Sequence, residues 1–447
     1  MNDRTDTVVS TASEVLPTMD KNQSRLPQVL QAIADLDDWF QTMRQAGGYG
    51  GPVAHWWRHS LLYAGPAFDW RYEGILTGYA TLYRKTGEPV WMHRVRSTVS
   101  DLLEGQFRAK GFKASEFEAN PGTLGTPHEA AAVSGLLNSL DCLDAELESR
   151  AISLAESILR NLVDNLWDPR VRGFNDRPGI RGRVPNKLAT FAEALLKYYE
   201  VTRKPEYLDY ARTCLDDVLK YQIKIGRYAG AVHQYGPNAG EGDGRLFPYY
   251  NARCIPALLL GSQIMGDARY EEAASDIATF LRLSLEDDRW PQIIYADSGM
   301  ARWPSWIAGV GDILRAMWLV GENIWGSPAL VRLLNAQLKS GGFPTAEGFA
   351  NRGTARQEPS GIDWLDVLPV SGWNDKVLRL FAEMIPMQVK IPDSDTSDVE
   401  MKVGFYGMPG QFAESSTGLS LDVRGRTVVR WCKNEPWVQT QFRPPSL

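Results

Sequence analysis

The segment Tyr83-Arg-Lys-Thr-Gly-Glu-Pro-Val-Trp91 ends one helical pattern, turns tightly at its glycine and begins a second pattern with an aromatic residue. A tight turn with an aromatic residue four positions later occurs three more times: Arg203 to Tyr207, Gly266 to Tyr270 and Gly321 to Trp325. The first interval between these aromatic residues is about twice each later one, so a copy with a weaker signature fits near Asp144. The sequence therefore predicts a repeat of about 58 residues, which is room for two helices and two connections.

Apolar residues that recur every three or four positions predict two series of helices. One series is rich in Leu, Ala, Ile and Gly, which indicates inner helices: 68–84, 128–142, 187–201, 246–264, 304–320 and 363–384. The other series alternates charged with apolar residues, which is typical of half-exposed outer helices: 26–46, 88–105, 145–166, 205–222, 267–284 and 326–340. The N-terminal helix would be the outer partner of the last inner helix, so the helices would close into a ring.

The connections that lead from an outer helix to the next inner helix are long, at about twenty residues each. They span 47–67, 109–127, 167–186, 223–245, 285–303 and 341–362. Loops of that length are uncommon in compact domains unless they have a function. All six would lie at the N-terminal ends of the inner helices, where the helix dipoles favour polar or anionic ligands. We expect the functional face there.

This arrangement resembles the α/α six-hairpin toroid of many glycoside hydrolases, polysaccharide lyases and sugar epimerases. The resemblance covers about residues 26–385 and rests on phrases such as Tyr83 to Trp91 and Met265-Gly-Asp-Ala-Arg-Tyr270. It implies an all-α, (α/α)6 toroid and a sugar substrate. No family-specific catalytic motif accompanies it, so it assigns no catalytic residue to this chain.

The flanking segments differ from the ring. We expect residues 1–25 to be a flexible tail, 26–395 to form the toroid with the catalytic site, and 396–447 to form a small β-rich extension. In that extension Val399–Phe405, Leu419–Val423 and Thr427–Trp431 alternate as strands do, with a turn at Arg424-Gly-Arg426.

Composition excludes several classes of function. The 447 residues carry a net charge of −6, so no overall basic field exists for nucleic acid or an anionic membrane. The four cysteines form no CxxC pair, residues 1–25 lack the apolar core of a secretory signal, and no apolar run approaches the ~20 residues that a spanning helix needs. We expect a soluble cytoplasmic protein without a cofactor. We expect no metal site either, because Cys254, Cys432 and His233 lack the spacing of zinc ligands. Asp35-Leu-Asp-Asp38 matches the acid motif of terpene cyclases but lies in an ordinary amphipathic helix.

The first long loop supplies the first candidate acids. Asp69 and Glu73 are four positions apart, which would place both carboxylates on one face of an inner helix as a catalytic pair. Trp56, Trp57 and Trp70 would stack against sugar rings. In the alternative interpretation, Asp69 caps the helix and Glu73 pairs with a neighbouring arginine.

The second and third loops offer binding groups. In Thr126-Pro-His-Glu129 the spacing fits a capping box, which leaves His128 to point towards the mouth of the ring. The third loop is basic and suits carboxylate or sulfate groups of a charged sugar through Arg181, Arg183 and Lys187. The alternative is a solvated loop whose cations pair with its own acids.

The fourth loop is the strongest catalytic candidate. It reads His233-Gln-Tyr-Gly-Pro-Asn-Ala-Gly-Glu-Gly-Asp-Gly-Arg245, and its glycines would let acids approach a ligand closely. General acid and base catalysis is assigned here to His233, Tyr235, Glu241 and Asp243, and substrate binding to Arg245 and Tyr249. The alternative is a flexible polar loop with solvated acids.

The fifth and sixth loops add further binding candidates. Arg302-Trp303-Pro-Ser-Trp306 would form a stacking platform, although Trp306 also fits a core position. Asp363 and Trp364 open the predicted last inner helix, where Asp363 fits either a binding or a capping role.

Three functions follow from these candidates. The first is a glycoside hydrolase that acts on a neutral or acidic oligosaccharide or polysaccharide, with one acid from Asp69 or Glu73 and another from Glu241 or Asp243. The second is a lyase or C5-epimerase for uronic acids that uses His233, Tyr235 and arginines. The third is a non-catalytic ring that binds a glycan or a protein. The sequence leaves the oligomeric state open.

Overall fold

The computed structural model describes residues 24–45, 47–55, 60–64, 69–109, 126–179, 181–236, 241–348, 369–396, 420–423 and 426–430. In chain order its α-helices are α1 (Leu26–Met43), α2 (Arg71–Thr86), α3 (Pro89–Ala109), α4 (Thr126–Leu137), α5 (Ala145–Leu166), α6 (Pro185–Thr202), α7 (Pro205–Lys220), α8 (Pro248–Ala252), α9 (Ile255–Met265), α10 (Ala268–Ser284), α11 (Val310–Leu319), α12 (Pro328–Asn335) and α13 (Ser371–Met384).

These helices form the predicted ring of six hairpins. The inner positions are α2, α4, α6, α8 with α9, α11 and α13, and each packs against the next. The last inner helix, α13, packs against α2 and closes the ring, while α1 packs on the outside of α13. One predicted inner helix is divided into α8 and α9, because Pro256 lacks the N–H that an uninterrupted helix would require there. The fold prediction is confirmed.

The short turns between inner and outer helices explain the repeat. The turn residues Gly87, Arg203, Gly266 and Gly321 all have a left-handed φ. The aromatic residue that follows each turn is buried against the preceding inner helix: Trp91 stacks on Tyr79 at 5.9 Å, and Tyr207 contacts Tyr198 at 4.6 Å. At the weaker copy, a 3-10 turn (Leu140–Cys142) replaces the left-handed residue, and Asp144 caps α5 by accepting from the Leu147 N–H at 3.0 Å.

Short antiparallel strands, which periodicity did not predict, lie in and next to the long connections. They are β1 (Arg44–Gln45) with β2 (Gly48–Tyr49), β3 (Gly51–His55) with β4 (Ser60–Ala64), β5 (Trp167–Asp168) with β6 (Gly173–Phe174), β7 (Arg245–Leu246) with β8 (Ile293–Tyr295) and β9 (Gly299–Ala301), and β10 (Ser305–Trp306) with β11 (Ala346–Glu347). Pairing of β7 with β8 joins the fourth loop to the fifth, and β10 with β11 joins the fifth to the sixth. Because β10 occupies part of the predicted helix 304–320, α11 begins only at Val310.

A hairpin follows the ring. Strands β12 (Ser420–Val423) and β13 (Arg426–Arg430) pair antiparallel, with an irregular register between Leu421 and Asp422. The last two predicted strands of the C-terminal extension are thus found, whereas Val399–Phe405 lies outside the described residues. None of the described helices is both long and apolar enough to cross a membrane.

The inner helices approach one another closely where small residues face a neighbour. A Cβ atom added at Gly74 of α2 would collide with the Asp375 carbonyl and carboxylate of α13, and one at Gly135 of α4 would collide with the Tyr72 carbonyl. Close approach of α2 and α13 therefore depends on the missing side chain at Gly74.

We expect Gly74→Ala to lower the free energy of unfolding by about 1–3 kcal/mol, the usual cost of overpacking. The intrinsic preference of a helix for alanine works in the opposite direction, so a net loss would isolate the collision. Urea denaturation measures the difference. Gly326→Ala, in the turn before α12, is the control for a glycine change without a collision, because no heavy atom lies within 4 Å of its added Cβ. Equal unfolding midpoints for the two variants would contradict this account.

Candidate active site

Four aromatic side chains meet at the mouth of the ring, and we call them the aromatic floor: Trp70, Tyr249, Trp306 and Trp373. Each lies at the N-terminal end of an inner helix or in the strand before one. The Trp373 ring is central, with centroid distances of 4.6 Å to Trp306, 5.2 Å to Tyr249 and 6.1 Å to Trp70. Trp70 and Trp373 remain half-buried, so the floor presents flat aromatic surface towards the long loops.

Six charged side chains fill the lumen next to this floor, and we call them the lumen cluster: Glu73, Arg253, Asp312, Asp375, Lys376 and Arg379. None is more than 9% exposed. Each of the two arginines contacts both Glu73 and Asp312. Arg253 donates to Glu73 at 3.0 Å and to Asp312 at 3.3 Å, and Arg379 lies 2.8 Å from Glu73 and donates to Asp312 at 2.6 Å. The four side chains form a closed circuit of opposite charges.

The carboxyl groups of the cluster have different electrostatic environments. Burial opposes ionisation of Glu73, but the Arg253 and Arg379 guanidiniums outweigh it and hold the pKa of Glu73 well below its ordinary value. The pKa of Asp312 is lowered for the same reason, against its burial, by Arg379 and Arg253. Burial dominates at Asp375 and raises its pKa to about 7, although Lys376 acts in the opposite direction. One carboxyl group thus holds its proton near neutral pH while its neighbours are ionised.

Lys376 connects these groups. Its Nζ atom donates to Asp375 Oδ2 at 2.6 Å and lies 3.7 Å from Glu73 Oε2, so the two carboxyl groups share one ammonium. Asp375 Oδ2 also accepts from the Gly74 N–H at 3.1 Å. Asp375 Oδ1 has no hydrogen-bond partner within the described part of the chain. A buried carboxyl oxygen without a partner is costly in a purely structural role.

The floor and the cluster are joined by hydrogen bonds. The Tyr249 hydroxyl donates to Asp312 Oδ2 at 3.1 Å, and Lys376 donates to the Trp70 carbonyl at 3.2 Å. Trp70 Nε1 donates to the Gly372 carbonyl at 2.9 Å, which holds the ring of Trp70 against α13. A ligand that touches the floor would therefore influence the charges directly behind it.

Of the acids predicted in the first loop, only Glu73 belongs to this site. Helix α2 begins at Arg71, so Asp69 precedes the helix. Asp69 accepts two hydrogen bonds from the Arg71 guanidinium, at 2.7 and 2.8 Å, and one from its backbone N–H. The two carboxylates have separate cationic partners, and the structure does not bring them together as the predicted pair.

The predicted catalytic residues of the fourth loop lie at the rim of the mouth. Asp243 pairs with Arg245 at 2.7 Å, and Glu241 is exposed. Burial lowers the pKa of His233, and His233 Nδ1 accepts from the Gly244 N–H at 3.2 Å. The other ring nitrogen of a neutral His233 then carries the proton, so His233 offers a donor and no free base. The Tyr235 hydroxyl donates to the Arg181 carbonyl at 3.4 Å.

The basic third loop pairs with acids of its own neighbourhood. Arg183 is buried against Asp217 at 3.2 Å and donates to Asn175 at 3.0 Å. Lys187 contacts Asp176 at 2.6 Å, and the exposed Arg181 lies 4.0 Å from Asp168. Lys187 and Arg181 thus lie near acids of the same loop, as in the alternative interpretation, whereas Arg183 is buried against an acid of α7.

The remaining predicted residues divide into two sets. Trp306 joins the floor, Arg302 pairs with Glu286 at 2.7 Å, and Trp303 is buried beneath the Arg289 guanidinium at 5.2 Å. The second set lies outside the described residues: Trp56, Trp57, Asp363 and Trp364. The backbone of His128 is described, but its side chain is not. Among the described residues, no group of three or more His, Cys, Asp or Glu side chains is placed to hold a metal ion.

Sequence reasoning missed most of the lumen cluster because it searched the loops. The signal was present in the inner helices, where charged residues interrupt otherwise apolar sequences. Asp312 and Arg315 stand in the apolar helix α11, and Asn374-Asp-Lys376 is followed by Arg379 in α13. A charge in a helix that must be buried requires a partner, which would have pointed to these positions.

Comparison with solved structures supports the fold class. No family model and no curated protein matches the sequence. The chain has the (α/α)6 toroid fold of solved sugar-acting proteins. It is similar to a D-mannose isomerase, with a TM-score of 0.60, 13% identity and coverage of 82% of this chain and 100% of that one.

Two further structures share this fold. A cellobiose 2-epimerase from Bacillus thermoamylovorans has a TM-score of 0.58 and 13% identity, over 80% of this chain and 99% of that one. An α-1,6-mannanase of Salegentibacter, solved with α-1,6-mannotriose, has a TM-score of 0.55 and 13% identity, over 80% and 98%. At such low identity the similarity extends to the fold alone.

Proposed function

We propose that this chain is a carbohydrate-active enzyme that hydrolyses a glycosidic bond of an oligosaccharide seated on the aromatic floor. The observation that carries the proposal is the pair of Asp375 and Glu73 beside that floor, two carboxyl groups around one lysine with pKa values moved in opposite directions. Such divergent pairs supply the acid and the base of glycoside hydrolysis.

The roles follow from the protonation states. Asp375, protonated near neutral pH, would give its proton to the oxygen of the leaving sugar. Glu73, ionised and held by two arginines, would stabilise the positive charge that develops on the sugar ring or activate water. Both carboxyl groups are almost fully buried, so a bound sugar must displace a floor side chain to reach them.

Other observations favour a neutral sugar. Of the third-loop cations that would hold a uronic acid, Lys187 and Arg183 are paired with Asp176 and Asp217, and the exposed Arg181 lies 4.0 Å from Asp168. The similar mannanase was solved with a neutral mannotriose. These points support hydrolysis of neutral sugars over a uronic-acid lyase or C5-epimerase.

A second candidate function is isomerisation or epimerisation of a neutral sugar. The observation in its favour is the similarity to a mannose isomerase and a cellobiose epimerase, whose TM-scores of 0.60 and 0.58 exceed that of the mannanase. Glu73 would then move a proton at a sugar carbon without breaking a glycosidic bond.

Mass spectrometry after incubation with neutral and uronic-acid oligosaccharides tests the proposal. Cleavage with gain of one water supports hydrolysis, and cleavage without water would establish a lyase. Incorporation of solvent deuterium without cleavage would replace hydrolysis by epimerisation. Complete absence of cleavage and exchange would overturn the enzymatic proposal and leave a binding ring.

Trp373→Ala should weaken substrate binding, because Trp373 is the central ring of the floor. An aromatic stacking contact contributes about 0.5–1.5 kcal/mol beyond the area it buries, so we expect KM to rise about tenfold. Trp318→Ala is the matched control. Trp318 is also half-buried, but it lies at the C-terminal end of the inner helix α11, away from the floor. A parallel rise of KM in both variants would argue against a floor that binds sugar.

A further inference from the structure

A groove lies on the rim of the long-loop face, formed by parts of the fourth and fifth loops. One wall is the connection after α7, with Ile225, Arg227 and Tyr228, and the other is the turn between β8 and β9, with Asp297 and Ser298. Its volume of about 340 Å³ falls within the range of about 300–1,000 Å³ for small-molecule sites. We infer that this rim groove binds a distal unit of a neutral oligosaccharide, an inference that rests on the proposed function.

The walls of the rim groove are built by backbone hydrogen bonds. The Ile223 N–H donates to the Ala231 carbonyl, and the Gly230 N–H donates to the Ile223 carbonyl, both at 2.8 Å, which closes the first wall into a compact loop. The Ala296 N–H donates to the Gly244 carbonyl at 2.8 Å and fixes the second wall to the fourth loop. A preformed groove binds a ligand without the cost of ordering these segments.

The side chains of the rim groove match a sugar. Ile225 is 85% exposed, and Tyr228 presents a half-buried ring whose centroid lies 5.2 Å from the Arg227 guanidinium. These apolar surfaces suit the C–H face of a sugar ring, while the exposed Asp297 and Ser298 can bind its hydroxyl groups. Arg227 and Asp297 have opposite charges, so the groove favours a neutral ligand over an anion or a cation.

A short stretch of backbone connects the rim groove to the aromatic floor. Gly244, which holds the second wall, precedes β7, and Tyr249 of the floor follows five residues after Gly244. Five residues span at most about 18 Å when fully extended. A short oligosaccharide can therefore place one unit on the floor and a distal unit in the groove.

The experiment is a comparison of chain lengths. Ladders of manno- and cello-oligosaccharides, from the disaccharide upwards, are assayed with the full chain and with the variants Tyr228→Ala and Asp297→Asn. We expect KM for the longer members to rise about tenfold in Tyr228→Ala, with the disaccharide unaffected. Tyr199→Ala is the matched control, because Arg203 lies over Tyr199 at 5.6 Å in the same kind of pair at the opposite end of the ring.

The outcomes separate this inference from the proposed function. If the unaltered chain and both rim variants cleave the oligosaccharides with equal KM at every chain length, the groove does not bind a distal sugar unit, and hydrolysis still stands. In a second outcome, saturation-transfer NMR detects binding of the longer sugars by the unaltered chain but not by either rim variant, while mass spectrometry detects no cleavage of these sugars. That result would support the groove and overturn hydrolysis. Absence of both binding and turnover would overturn both. Asp297→Asn changes an exposed side chain, so its result does not depend on a folding defect at Tyr228.

Discussion

Asp375→Asn should abolish most turnover and leave the protein folded. Asparagine has the shape of aspartic acid but cannot give a proton to the leaving sugar. General acid catalysis contributes about 10²–10⁴-fold, and we expect kcat to fall by that factor. The unaltered enzyme should lose activity as pH rises through about 7, because the raised pKa of Asp375 marks the loss of the acidic proton. Measurement of kcat against pH checks both statements.

The stability of Asp375→Asn separates catalysis from a structural role. Because burial raises the pKa of Asp375 from its ordinary value of 3.8 to about 7, the free energy of unfolding falls as pH rises from about 4 to about 7, where only the unfolded chain ionises this group. The full cost persists, without further change, above pH 7. The variant should therefore be at least as stable as the unaltered chain above that pH. Asp164→Asn, at an exposed position of α5, is the control and should retain full kcat. Retained kcat in Asp375→Asn would remove the proposed acid, and a large loss of stability would indicate a structural residue.

The sequence predicted the ring because its repeats reflect local physical requirements. A left-handed turn residue ends four of the inner helices, and a buried aromatic residue follows each of these turns, so both leave a mark in the sequence at a fixed spacing. The long connections then predicted a functional face at the N-terminal ends of the inner helices, which is the end where the aromatic floor lies. Glu73 was predicted as one of a carboxylate pair, Trp70 and Trp306 as stacking residues and Tyr249 as a binding residue. The structure places the three aromatic side chains in the floor and Glu73 in the lumen cluster next to it.

The rest of the site could not be predicted from local pattern, because its contacts are distant in the sequence. Glu73 and Arg253 are 180 positions apart, and neither residue indicates the other. Loop charges were misleading for a local reason. The pattern of Asp followed two positions later by Arg recurs, and four such pairs close on themselves: Asp69 with Arg71, Asp168 with Arg170, Asp243 with Arg245 and Asp267 with Arg269. Charges that looked available for a ligand are neutralised within three residues of chain.

Glu73→Gln should be the most destabilising single change in the lumen. It removes one of the two carboxylates that face Arg253 and Arg379, and both guanidiniums remain buried. Removal of one partner from a buried ion pair costs about 3–5 kcal/mol. Glu146→Gln breaks an exposed ion pair, in which Glu146 lies 3.8 Å from Arg150 and is 83% exposed, and should cost less than about 1 kcal/mol. Urea denaturation of the two variants gives the comparison.

A double-mutant cycle shows whether this cost arises from the unpaired charges. Arg253→Met removes one buried cation, so adding it to Glu73→Gln should restore part of the stability that Glu73→Gln alone removes. The coupling should reach about 0.5–3 kcal/mol, the range for residues in one network. Additive losses would mean that Glu73 and Arg253 act independently, against the closed circuit seen in the lumen. A buried pair replaced as a whole often costs little, whereas half of it left behind costs much. The circuit therefore constrains which residues can change together more than it adds net stability.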